Sequence, residues 1–165
     1  MTSLLHRRTE VMVPEEGVVL FLVGMRINQV WRVRQWMPVI GAMRRMMTEL
    51  AMHPELGVLG ASMTFVSGRR IQVQQYWRSL DDLHAYARSR EHAHLPAWGA
   101  FYRRAKGTQA VGVYHEVYAV PSRGGEALYV NTPVFGLAEV VGNLPAAESG
   151  GDGTVRDRDV MAHHA

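Results

Sequence analysis

Cysteine is absent from all 165 residues. That absence excludes disulfides, thiolate metal sites, iron–sulfur clusters and a cysteine nucleophile together. Long apolar runs are missing too. Val18 to Val23 is far short of the about 20 apolar residues that a bilayer-crossing helix needs, and residues 1–16 lack the apolar core of a signal peptide. The chain is therefore expected to be soluble and cytoplasmic, with no membrane partner. Nor does charge of one sign dominate: 18 Lys and Arg stand against 15 Asp and Glu. The arginines come in scattered pairs (Arg7-Arg8, Arg44-Arg45, Arg69-Arg70, Arg103-Arg104) rather than one basic stripe, so nucleic acid is not an expected partner. A glycine-rich phosphate loop, a dinucleotide fingerprint, a His-Glu-x-x-His pair and a Gly-x-Ser-x-Gly elbow are all lacking. Flavin or nicotinamide as an integral cofactor is not expected.

What is present is an ordinary globular composition, 47% hydrophobic and 20% charged. The length fits one domain, able to bury roughly 70% of the surface its unfolded chain exposes without disulfide or metal. Residues 1–16 read as an arm, 17–141 as the folded domain, and 142–165, rich in Ala, Ser, Gly and Asp, as a disordered tail.

Within the domain, Val18 to Val23 is a continuous β-branched and aromatic run, the pattern of a strand buried on both faces. Trp36, Val39, Ile40, Met43, Met46, Met47 and Leu50 then recur at helical spacing, with Pro38 expected in the first turn and Arg44, Arg45 and Glu49 off the stripe. Methionine fills irregular gaps, so these residues read as core and not as a copper site. Leu59, Ala61, Met63 and Phe65 alternate with small polar residues, as do Ile71, Val73 and Gln75 with Gln72, Gln74 and Tyr76, and Ser67-Gly68-Arg69 between them marks a hairpin. Ser79 caps a helix opened by Asp81 and Asp82. A further helix runs from about Leu95 to Lys106. Val111, Val113, Val117 and Ala119 form one face of a last long strand, with Tyr114, Glu116 and Tyr118 on the other.

Strand, helix, strand, strand, helix, strand is the ferredoxin-like βαββαβ plan of an α+β domain. Its helices cover one sheet face, yet the first and last strands are apolar or aromatic on both. A second copy packing sheet against sheet answers that need, so a homodimer forming an α+β barrel is expected.

Several stretches carry a family resemblance: Tyr76-Trp77-Arg78-Ser79, then Leu83, Tyr86 and Ser89, then His92 and His94. Together they resemble the antibiotic-biosynthesis monooxygenase-like superfamily of dimeric α+β barrels. His94-Leu95-Pro96-Ala97-Trp98, His115-Glu116-Val117-Tyr118 and Tyr129 to Leu137 are similar to the subgroup that includes the fumagillin-pathway monooxygenase. The likeness spans roughly residues 17 to 138. It implies a cavity for a small molecule and leaves open cofactor-free oxygenation and haem-dependent chemistry.

Three residues are candidates for catalysis. His94 carries an imidazole, a group suited to general-base work, and could serve as haem ligand, a role the resemblance implies for about this position; the plainer reading is a cap at a helix junction. His115 alternates with Val113 and Val117 and faces the helices, where a lone His is more often a satisfied core residue. Glu116 shares its face with the tyrosines; a cavity there would desolvate it and raise its pKa, whereas an ion pair to Arg26 is the structural alternative. Gln74, Tyr76, Trp98, Tyr114 and Tyr118 are candidates for substrate binding, as aromatic walls with a few hydrogen-bonding groups, although Tyr also favours interfaces. Asn131 is a further binding candidate or a turn residue before Pro133.

The reading is a monooxygenase-like enzyme oxidising a small apolar or aromatic metabolite. A haem-binding protein and a non-catalytic small-molecule-binding dimer are the alternatives. The cofactor is none or haem.

Overall fold

The structure, a computed structural model, describes residues 4–5, 8–92, 94–105 and 108–142, with the main chain alone at 4–5, 94 and 103–105. The expected tail beyond residue 142 lies outside the described residues.

In chain order the elements are β1 (Leu4–Leu5), β2 (Thr9–Met12), β3 (Val18–Ile27), α1 (Val33–Met52), a 3-10 turn (Pro54–Leu56), β4 (Val58–Ser67), β5 (Arg70–Trp77), α2 (Leu80–Arg88), α3 (His94–Ala105), β6 (Val111–Val120), β7 (Glu126–Tyr129), β8 (Thr132–Pro133) and α4 (Leu137–Val141). Four of these strands form an antiparallel sheet in the order β4-β5-β3-β6. With α1 between β3 and β4, and α2 and α3 between β5 and β6, this is the ferredoxin-like βαββαβ fold.

Strand alternation decides what meets the helices. Val19, Phe21, Met25 and Ile27 of β3 pack with Leu50 and Met43 of α1, with Leu83 and Tyr86 of α2, and with Ile71, Val73 and Trp77 of β5. Trp77, Met25, Leu50 and Val73 are essentially sealed from solvent. Burying an aliphatic side chain of this kind contributes about 1.5–3 kcal/mol relative to leaving it exposed.

Two local features differ from the sequence pattern. α1 begins at Val33, so Pro38 sits inside the helix rather than in its first turn, where it lacks a donor for the i−4 carbonyl. In β4, the register shifts between Val58 and Gly60, so that Val58 faces Trp77 while Ala61, Met63 and Phe65 continue the row. Leu59 is the extra residue at this bulge and is 41% exposed, because a bulge puts two residues opposite one.

The N-terminal segment pairs within the chain, β2 with β7 and β1 with β8. Val11 and Val13 thereby join Val18, Tyr129, Leu137 and Ala138 in a second small core against Tyr76 and Val120. One end of the sheet's second face is covered by these segments.

Candidate functional site

The helix-side row of the sheet is apolar except at two positions. In β5 the row Ile71, Val73, Gln75, Trp77 admits one glutamine, and in β6 the row Val111, Val113, His115, Val117 admits one histidine. Both line a cavity of about 300 Å³ between the sheet and the three helices. β3 forms the floor through Phe21 and Val23; α1 contributes Pro38, Val39, Ala42, Met43 and Met46; α2 contributes Leu83, Tyr86 and Ala87; α3 contributes Ala97, Trp98, Ala100 and Phe101.

Each polar group in the wall has a defined setting. Gln75 is 5% exposed, and its Oε1 accepts from Trp77 Nε1 at 2.9 Å. This satisfies a buried indole and fixes the amide. Among the described residues no partner is found for its Nε2. The His115 ring lies 5.9 Å from Phe21, centroid to centroid. Both His115 and Val117 are exposed, so the cavity opens along β6, an edge strand. Thr108 donates to Gln35 Oε1 at 3.1 Å in another part of the wall. Arg45 and His84, both exposed, stand at the rim.

Trp98 is in the wall, edge-on to Tyr102 at 5.1 Å and stacked with Phe101 at 5.9 Å. Among the sequence-derived candidates whose side chains are described, it and His115 line this cavity. Gln74, Tyr76, Tyr114, Glu116 and Tyr118 lie on the opposite face of the sheet, because they alternate with the residues just described. There Gln74 donates to the Tyr76 hydroxyl at 2.7 Å, and Tyr114 to Gln72 Oε1 at 2.9 Å. Burial raises the Tyr76 phenol above its ordinary value, against the bond from Gln74. Tyr118 donates to Glu116 at 2.7 Å, and that bond raises the Tyr118 phenol. Both Glu116 and Tyr118 are exposed, and Arg26 donates to Asn28 rather than pairing with Glu116. Asn131 is exposed in the turn between β7 and β8, with a positive φ of 53°. His94 is the first residue of α3; its side chain lies outside the described residues.

Sequence reasoning passed over a polar cluster behind the cavity wall. Tyr86 is 4% exposed and donates to Glu49 Oε2 at 2.9 Å, while His92 Nδ1 lies 3.3 Å from Glu49 Oε1. Burial, then the bond to Glu49, pushes the Tyr86 phenol far above its usual range. Glu49 had fallen outside the apolar stripe of α1, which is the expected signature of a solvent-facing residue, yet its side chain is only 20% exposed. Gln75 did leave a signal, as the one polar residue in an apolar strand row. Among the described residues no group of three or more His, Asp or Glu side chains is arranged to hold a metal ion, and no helix is long and apolar enough to cross a membrane.

Comparison with solved structures gives the same architecture. Aldoxime dehydratase (OxdRE), solved in complex with butyraldoxime, is 19% identical, with a TM-score of 0.62 over 80% of this chain and 41% of the dehydratase. A second aldoxime dehydratase structure is 20% identical, with a TM-score of 0.59 over 80% of this chain and 42% of that one. The chain thus spans less than half the length of these enzymes, and at such identity the likeness concerns the fold. SnoaB, a cofactor-independent oxygenase from Streptomyces nogalater, aligns at 11% identity over 62% of this chain and 92% of its own, with a TM-score of 0.45. No curated protein matches the sequence. At the level of protein families, the monooxygenase af470-like profile matches residues 18–137, from the start of β3 to the start of α4. The chain belongs to the monooxygenase af470-like family.

Proposed function

We propose that the chain is a monooxygenase-like enzyme that oxidises a small apolar or aromatic metabolite held between the sheet and the helices of one protomer. The observation that carries this reading is the cavity. It has a volume of about 300 Å³, its walls are largely aliphatic and aromatic, and hydrogen bonds hold Gln75 and the Thr108–Gln35 pair in them. Small-molecule sites have that character. The volume lies at the lower end of the usual range. That volume suits a one- or two-ring metabolite, the substrate of cofactor-free oxygenation in this reading.

An electron-rich phenol suits such a site. Loss of its proton gives a phenolate able to pass an electron to dioxygen. In balance, one phenol and one O₂ yield one para-quinone and one water. In this reading Gln75 Nε2 and the His115 ring orient the oxygen-bearing end, while Trp98, Phe101 and Phe21, which line the cavity, hold the ring.

We also infer that a second copy covers the part of the sheet that the chain's own segments leave open, around Leu20, Leu22, Tyr114 and Tyr118.

The test is titration with naphthols and other phenols, with oxygen uptake recorded alongside. Wild type should bind saturably and consume oxygen; Ala100→Trp and Ala42→Phe, which fill the cavity, should lose both while keeping the native circular dichroism. Equal binding by folded filled variants would overturn the cavity reading. Binding without oxygen uptake would leave a non-catalytic small-molecule-binding protein. A Soret band at one haem per chain after adding haemin, lost in His94→Ala, would replace it with the haem reading.

A further inference from the structure

The fold gathers at one end of the sheet what the sequence scatters. β3 ends at Ile27, whose N–H donates to the Arg69 carbonyl at 2.8 Å in the β4–β5 turn, and the Asn28 N–H donates to the Ala110 carbonyl at 2.9 Å just before β6. The β3–α1 connection and the tip of the β4–β5 hairpin therefore lie at the same end. Between them they expose five large apolar side chains, Val30, Trp31, Val33, Phe65 and Val66, with Trp31 72% and Phe65 76% exposed. We propose that this end docks peripherally on an anionic lipid surface, Trp31 and Phe65 entering the interface while the arginines around them meet lipid phosphates.

Charge complementarity selects that partner. Arg26, Arg32, Arg34, Arg69 and Arg70 are all exposed here, and among the described residues none of them is in an ion pair. Residues 17–48 and 56–80, which supply both segments, contain no Asp or Glu. Glu15, Glu16, Glu55, Asp81 and Asp82 belong to the other end, where β3 begins and β5 finishes. Arg26 and Arg70 are direct cross-strand partners, a like-charge placement that costs stability until an anion offsets it.

An aromatic ring standing clear of the fold suits the headgroup level of a membrane, beside arginines whose stems lie along apolar surface. Val30, Val33 and Val66 offer no stacking face to a base, which favours lipid over nucleic acid. Phe65 pairs with Ile71, on the helix side of the sheet, so it is not on the face assigned above to a second copy. No described helix is long and apolar enough to cross a bilayer, and contact with one surface needs none.

The test is cosedimentation of the full chain with vesicles of phosphatidylcholine containing about one-third phosphatidylglycerol, against phosphatidylcholine alone. The chain should pellet with the anionic vesicles only, bind less at high salt, and shift its tryptophan emission to shorter wavelength. The Trp31→Ser/Phe65→Ser double variant and Arg69→Glu should each weaken binding about tenfold. Arg123→Glu, the same change of charge in the turn after β6, at the opposite end, should bind as wild type does. All four positions are exposed, so circular dichroism should stay native. No binding to anionic vesicles, or unchanged binding in both patch variants, would overturn the proposal. Equal loss in Arg69→Glu and Arg123→Glu would overturn it too, since attraction would then follow net charge alone. Binding to a mixed-sequence DNA duplex but not to vesicles would replace lipid with nucleic acid as the partner.

Discussion

Single residues matter here through the partners that fix them. Asp82 illustrates this outside the cavity. It accepts from Arg78 Nε at 2.9 Å and from the Ser79 hydroxyl at 2.8 Å, while its own N–H donates back to Ser79 Oγ at 3.1 Å. The Arg78 bond first, then Ser79, holds the Asp82 carboxyl below its ordinary value. A lowered folded-state pKa stabilises the fold at pH above the unfolded value, and the contribution is lost as pH falls through the folded one. Urea midpoints from pH 7 down to pH 2 should therefore fall less steeply in Asp82→Asn than in wild type; parallel curves would contradict this. Ser79→Ala, which removes the cap, should cost about 1 kcal/mol, read from the same unfolding curves.

At the scale of elements, the period of two in the strands sorts chemistry between two faces. In β5, Gln75 reaches the cavity while Gln74 and Gln72 serve the other side. On that other side β3 needs a glycine. A Cβ at Gly24 would lie 2.5 Å from the Tyr114 ring, which crosses the strand to reach Gln72. Gly24→Ala should thus destabilise by about 1–3 kcal/mol, as overpacking does. Most of that loss should vanish when Tyr114→Ala is added, in a double-mutant cycle of urea unfolding. Additive losses would mean that the two residues do not compete for space. Gly57 shows the other use of glycine. With φ +91° it turns the chain into β4, and a Cβ there would meet Asp82 at 2.7 Å.

Across the whole molecule, three helices close one face of the sheet over the cavity, while α4, β2 and β7 close one end of the other. The middle of that second face keeps Tyr118 48% exposed, with Leu22 beside Glu116 in the register. Sheet-on-sheet packing by a second copy predicts a dimer in sedimentation velocity. Leu22→Glu, which adds a like charge next to Glu116, should convert it to a folded monomer. A wild-type monomer would refute this arrangement.

The order of elements was legible in the sequence because alternation in strands and the three- to four-residue spacing in α1 are local properties. The Met-rich stripe, the Ser79 cap, the hairpin and the two-faced first strand all follow from neighbours a few positions apart. The apolar row of β6, broken by His115, was legible for the same reason. Which sheet face encloses the cavity was not, since both faces of the strands carry aromatic and polar residues, and only the packing of α1, α2 and α3 makes the choice. The bulge at Leu59 and the meeting of Glu49, Tyr86 and His92 were decided at the same level. Those three groups are separated by up to 43 residues, and a hydrogen bond between helices leaves no period in the chain. Local pattern set the elements and the family; contacts between distant segments set the cavity and the groups around it.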